Sequence, residues 1–125
     1  MEKCLFCQWK EEKEEIILEN EYAFARFDGY PVSDGHVLFM TKRHVKDFFE
    51  TTIEERKAIF ELVDKAKEIL DKKYNPTGYN IGMNCGSSAG QTVMHVHVHL
   101  IPRYDGDVEN PRGGIRGVIP RKQKY

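Results

Sequence analysis

The chain has 125 residues, 40% of them hydrophobic and 31% charged, with a formal net charge of −1. One compact domain with a single core is the expectation, and an intrinsically disordered chain is excluded. The charge balance removes any global electrostatic case for nucleic acid or a membrane surface, and no apolar run approaches the roughly 20 residues that span a bilayer.

The opening MEKCLFCQWKEEKEE has neither a long apolar stretch nor a small-residue cleavage site, so no secretory signal is expected. Three cysteines without such a signal point to a reducing, cytoplasmic setting. CLFC, Cys4 to Cys7, has the spacing of a metal knuckle, although two small apolar residues or a redox pair share that pattern. No second CxxC exists, so any metal here must draw on histidines. IILENEYAFARFD reads as two strands separated by a turn near Asn20, and YPVSDG has turn chemistry. HVLFMTK is a nearly continuous apolar run, which fits a buried strand.

TTIEERKAIFELVDKAKEILDKKY is the one clear helix. Thr51 or Thr52 can cap it, with Glu54 or Glu55 completing a capping box. Ile59, Leu62, Val63, Ala66 and Leu70 recur at helical spacing and form its core-facing stripe. NPTG stops it. YNIGMN is a strand, CGSSAGQT a Gly/Ser-rich loop, and VMHVHVHLIP a further strand closed by Pro102. The remaining segment lacks periodicity and carries Arg112, Arg116, Arg121, Lys122 and Lys124. These elements predict an α+β fold, with an antiparallel sheet of about five strands and one long helix. A single domain is expected over residues 1–125, with its core in 1–104 and a tail in 105–125.

MHVHVHLIPRY, Met94 to Tyr104, concentrates three of the five histidines in five residues. On one continuous strand, His95, His97 and His99 share a face about 7 Å apart from one to the next, and Val96, Val98 and Leu100 share the other. Burying three imidazoles for structure alone demands three sets of hydrogen-bond partners. Two functional readings remain. Imidazole is a common zinc ligand. A neutral imidazole can also attack phosphorus when its second nitrogen is held by a hydrogen bond. The preceding NCGSSAGQ favours the second, because such a loop with Asn84, Ser87, Ser88 and Gln91 can form an anion-binding nest. Phosphoryl or nucleotidyl transfer is the chemistry that follows.

HVHVHLIP, fed by NCGSSAGQTVM, resembles the His-x-His-x-His-x-x signature of the histidine triad (HIT) superfamily. FDGYPVSDGHVLFMTKRHV is similar to that family's upstream Asp-containing strand end, turn and Gly-His strand. The resemblance covers roughly residues 4 to 104. It implies a nucleotide-binding hydrolase or transferase that works as a homodimer, paired through helix and strand, with no nucleic-acid or membrane partner. His97 would be the nucleophile, forming a nucleotidyl-histidine that water, or phosphate in phosphorylases, then resolves. His99 would hold the phosphate, and His36 would stand behind the nucleophile. Gln91 would contact the scissile region. Asn84, Gly90 and Thr92 would lie on the phosphate side, and Asp28 would take the ribose hydroxyls.

The chemistry would need no catalytic cofactor. Some bacterial members resemble this chain in an N-terminal CxxC, which implies a structural zinc on Cys4, Cys7, His44 and His95. The tail tilts the implied substrate toward diadenosine tri- or tetraphosphate rather than a phosphoramidate. Dinucleoside polyphosphate phosphorolysis and a nucleotide-binding module with little catalysis are the other readings. Phe24 and Phe27 are candidates for a base pocket, with core packing as their alternative role.

Overall fold

The computed structural model describes residues 4–125. A short helix, α1 (Leu5–Glu11), leads into strands β1 (Leu18–Glu19), β2 (Ala23–Phe27) and β3 (Val37–Thr41). The long helix α2 (Ile53–Tyr74) follows, and then β4 (Gly78–Gly82) and β5 (His97–Arg103). The five strands form one sheet in the order β1-β2-β3-β5-β4, with every neighbouring pair antiparallel. This is the predicted α+β architecture.

α2 starts where the capping pattern places it. Thr52 accepts from the Glu55 N–H, and the Glu55 side chain accepts from the Thr52 N–H, which closes the box. The buried Glu55 carboxylate also receives two hydrogen bonds from Arg43, at 2.8 and 3.1 Å, and this guanidinium holds its pKa below the usual carboxylate value. Asn75 ends the helix in the left-handed conformation, at φ 52°, just before Pro76. The whole predicted stripe is buried and packs on Ala23, Ala25, Val37, Phe39, Val98 and Leu100. Alternation along the strands therefore sends one face to α2.

The opposite face carries Phe24, Leu38, Met40 and the histidines, and α1 covers part of it. Phe6 and Trp9 of α1 join Phe24, Leu38 and Met40 in a second cluster. The sequence gives no period for this seven-residue helix, because tertiary packing and not an amphipathic stripe holds it. Phe24 is fully buried there, and Phe27 packs on the α2 side, so both take the core role.

The histidine strand is shorter than expected. β5 begins at His97, and residues 93–95 form a bend. The Val96 N–H is drawn to the Val45 carbonyl at 2.7 Å, which turns this stretch away from the ladder. Only His97 and His99 therefore stand together on a strand face, opposite Met40 and Leu38 of β3. His95 leaves the row. Leu62→Ala, at the centre of the α2 stripe, should destabilise the protein by about 3 kcal/mol, and Thr52→Ala by about 1 kcal/mol. Urea denaturation with an unchanged m-value checks both.

Candidate active site and metal centre

The bend at residues 93–95 sends the buried His95 toward α1, where it meets both cysteines. Cys4 Sγ lies 3.5 Å and Cys7 Sγ 3.6 Å from His95 Nδ1, and Cys7 Sγ lies 3.4 Å from His44 Nδ1. One ligand atom from each of the four residues falls within 4.8 Å of the others. Tetrahedral zinc, with Zn–S about 2.3 Å and Zn–N about 2.0–2.1 Å, holds sulfur and nitrogen about 3.5 Å apart. The arrangement therefore has the dimensions of a closed Cys2His2 site, and these four residues could hold a metal. His95 is prepared for it. Its Nε2–H donates to the Thr41 carbonyl at 2.8 Å, which leaves the Nδ1 lone pair toward the sulfurs. Burial pushes its pKa down to about 4, so the ring is neutral and open to a metal ion.

His97 is locked in the reverse sense. Its Nδ1–H donates to the His95 carbonyl at 2.9 Å, so Nε2 carries a bare lone pair. Burial lowers its pKa, against the opposing pull of the His95 carbonyl and of Asp28. Protonation that would silence this nitrogen thus moves to lower pH than in an ordinary imidazole. The Phe6 ring stands against His97 with centroids 4.9 Å apart, and against His95 at 5.9 Å.

The tautomer of His99 follows from a chain of donors. The Val32 backbone N–H, which can only donate, points at His36 Nδ1 at 3.2 Å. Neutral His36 therefore carries its proton on Nε2 and donates it to His99 Nδ1, 2.9 Å away. His99 must then carry its own proton on Nε2. Next to the bare nitrogen of His97 stands an N–H donor, with the two rings 5.3 Å apart. Burial first, and then the neighbouring His97 and His36, push the His99 pKa down to about 4, with Asp28 opposing. Burial also lowers His36, against the pull of Asp28.

Asp28 does not stand apart from these rings. One carboxylate oxygen accepts the Tyr30 N–H at 2.8 Å, and the other lies 3.4 Å from His36 Nε2. Asp28, His36, His97 and His99 thus form one cluster. Gln91 does not point into it. Its Oε1 accepts the Gly86 N–H at 2.8 Å, and its amide hydrogens go to the carbonyls of Lys46 and Val93 at 2.7 and 3.0 Å. It braces the loop, an assignment that spacing alone does not give. The N–H groups of Ala89, Gly90 and Gln91 are likewise spent on the Gly86 and Ser87 carbonyls. The expected open nest is therefore partly closed by the loop's own bonds. Gly90 sits at φ +94°, a conformation that favours glycine, and Asn84 and Thr92 flank the loop. Sequence reasoning missed three partners here: the Val32 N–H, the Thr41 carbonyl and the Phe6 ring. The first two are backbone groups without a residue signature, and Phe6 lies in the unforeseen helix.

The HIT domain family model matches residues 9–106. The chain belongs to the HIT family. Among HIT relatives, an uncharacterised HIT-like protein of Methanocaldococcus jannaschii is 41% identical over 108 residues, 85% of this chain and 83% of the relative. The bis(5'-adenosyl)-triphosphatase of Dictyostelium discoideum is 35% identical over 105 residues, 84% of this chain and 70% of that protein. A zinc-bound histidine triad family protein from Mycobacterium smegmatis superposes with a TM-score of 0.77 at 29% identity, covering 86% of this chain and 80% of the other. No helix among the described residues is long and apolar enough to cross a membrane.

The buried histidines of this HIT site make stability depend on pH. Below pH 6.5 the unfolded chain binds protons that the folded, neutral rings refuse, so stability falls with pH. For His99 the contribution is whole above about pH 6.5 and is lost as the pH falls toward about 4. Its facing groups are His97 on the same strand, His36 at the start of β3, and Asp28. His99→Gln removes this titration. The difference in urea midpoint between wild type and variant should therefore shrink between pH 6.5 and 4. A constant difference would contradict the neutral buried ring.

Proposed function

We propose that this HIT protein hydrolyses the α-phosphate linkage of a nucleotide conjugate through a nucleotidyl-histidine intermediate, with a dinucleoside tri- or tetraphosphate as substrate. The observation that carries this reading is the opposed tautomers of His97 and His99: a bare nitrogen and an N–H donor, side by side on β5. His97 Nε2 attacks the α-phosphorus, an N–P bond forms, and the P–O bond to the leaving group breaks. The ring then becomes cationic, and the His95 carbonyl already holds Nδ1–H to receive that charge. The His99 N–H donates to a phosphate oxygen. In the second step water attacks the phosphorus and releases a proton to solvent, the N–P bond breaks with its electron pair returning to neutral His97, and the mononucleotide leaves.

In this reading the Val32 N–H and His36 fix the donor state of His99, and Asp28 approaches the ribose. Asn84, Gly90 and Thr92 bound the phosphate on the loop side, and Gln91 holds that loop in place. The bis(5'-adenosyl)-triphosphatase relative supports the choice of substrate.

Cys4, Cys7, His44 and His95 take a structural zinc, supported by the sulfur–nitrogen spacings and by the zinc-bound relative. With four protein ligands, such an ion ties α1 to the sheet and leaves no open coordination position for substrate. The protein works as a homodimer. β4 is an edge strand, and α2 exposes Ile53, Phe60 and Ile69, surfaces that a second copy would cover. Cys4 and Cys7 must be reduced to hold that ion, which suits a reducing cytoplasm.

His97→Asn should lower kcat/KM for diadenosine triphosphate by at least about a hundredfold with the fold intact by circular dichroism. Retained turnover in that variant would end the nucleophile assignment. Metal analysis of the purified protein should find one zinc per chain. Cys4→Ala should lose it, with a fall in Tm of more than about 5 °C.

A further inference from the structure

A cavity of about 560 Å3 lies between the C-terminal tail and the β4–β5 end of the sheet. Its walls include Val32, Asn80, Ile101, Val108, Ile115 and Lys124. None of the triad histidines lines it, yet the sheet register brings it next to them. Ile101 is two residues beyond His99 on β5, so it shares that face about 7 Å further along. Asn80 pairs with Ile101, and Gly82 pairs with His99. A Cβ on Gly82 would sit 3.7 Å from Ile115 Cδ1, so the tail reaches over the β4 residue facing His99. Val32, which also lines the cavity, is the residue whose N–H sets the His36 tautomer.

The tail is built to hold this shape. Arg116 donates to the carbonyls of Lys122 and Gln123 at 3.0 and 3.2 Å, and the Gln123 amide donates to the Arg112 carbonyl at 3.3 Å. The guanidiniums of Arg112 and Arg116 lie 4.9 and 5.0 Å from the centre of the Tyr125 ring. Gly113, at φ +89°, has the Gln123 carbonyl where a side chain would go, so only glycine lets the two tail segments meet. On the sheet side, Arg103 grips both carboxylate oxygens of Asp107 at 2.8 Å and Asn80 at 2.6 Å, which anchors the start of the tail.

We propose that this cavity receives the leaving-group half of the substrate, a second nucleoside carried on the phosphate chain whose α-phosphate sits at His97. The inference rests on the proposed hydrolase reading and adds a subsite to it. The volume suits a nucleoside, since ligand pockets run from about 300 to 1,000 Å3. Val32, Ile101, Val108 and Ile115 offer apolar surface to the faces of a base, and Asn110 and Gln123 offer polar edges. Lys124, which lines the cavity together with the acidic Glu109, supplies a cation for the intervening phosphates. Small leaving groups would leave the cavity unused.

Ile115→Trp, which narrows the cavity from an exposed turn, tests this. The ratio of kcat/KM for diadenosine triphosphate to that for adenosine 5'-phosphoramidate should fall at least tenfold. Val108→Trp, on another wall, should do the same. An unchanged ratio in both variants overturns the proposal. A binding arm stands apart from turnover. Methyl resonances of Ile101, Val108 and Ile115 in the wild-type protein should shift with a methylene-bridged diadenosine triphosphate analogue and stay still with AMP. Still methyls with the analogue also overturn the subsite. If wild type cleaves neither conjugate, the hydrolase reading fails, and the methyl shifts still decide the cavity.

Discussion

Each histidine of the row spends one ring nitrogen on a fixed partner, and the choice of nitrogen decides what the other can do. His95 gives Nε2–H to the Thr41 carbonyl and keeps Nδ1 for the cysteines. His97 gives Nδ1–H to the His95 carbonyl and keeps Nε2 bare. His99 accepts at Nδ1 from His36 and keeps a proton on Nε2. Three copies of one side chain thus become a ligand, a lone pair and a donor. The backbone supplies two of these locks directly, and a third acts through His36 from the Val32 N–H. Burial keeps every ring neutral, and without neutrality the distinction would vanish, because a protonated imidazole donates from both nitrogens.

Much of the fold was legible in the sequence because its strong elements carry strong periods. The α2 stripe and its capping box read directly, and the NPTG stop falls where Asn75 turns left-handed. Alternation in β5 correctly sends Val98 and Leu100 to the helix side. Two features did not read. α1 is too short to show a period and is shaped by what it touches. The bend at residues 93–95 goes with bonds to groups elsewhere in the chain, the Val96 N–H to the Val45 carbonyl and His95 to the Thr41 carbonyl. Alternation from His95 to His99 looks unbroken in the sequence, so it suggests one continuous strand.

The site was legible to a different depth. Residue types and spacing suffice to nominate His36, His97, His99 and Asp28, and the structure brings these four together. Cys4, Cys7, His44 and His95 also converge, although they come from three separate parts of the chain. Spacing fails where a side chain has two plausible targets. Gln91 stands beside the phosphate loop in sequence, but its amide turns inward to the carbonyls of Lys46 and Val93. Tautomers were beyond reach altogether, since they follow from which backbone groups lie opposite each ring.

The position of α1 has a consequence for how the chain comes together. Cys4 meets His95 across a separation of 91 residues, and Phe6 of the same helical turn rests on His97. Synthesis runs toward the C-terminus, so α1 is made before every strand of the sheet, yet part of its binding surface lies at β5, the last of the five. A helix this short does not persist alone in water. The sheet and α2 can form around their own core, and Phe24, Leu38 and Met40 give α1 a first surface to dock on, but its contacts with His95 and His97 wait for β5. A helix made before every strand therefore completes its packing only after the last of them. Until then the face that carries the paired histidines stays open and wet.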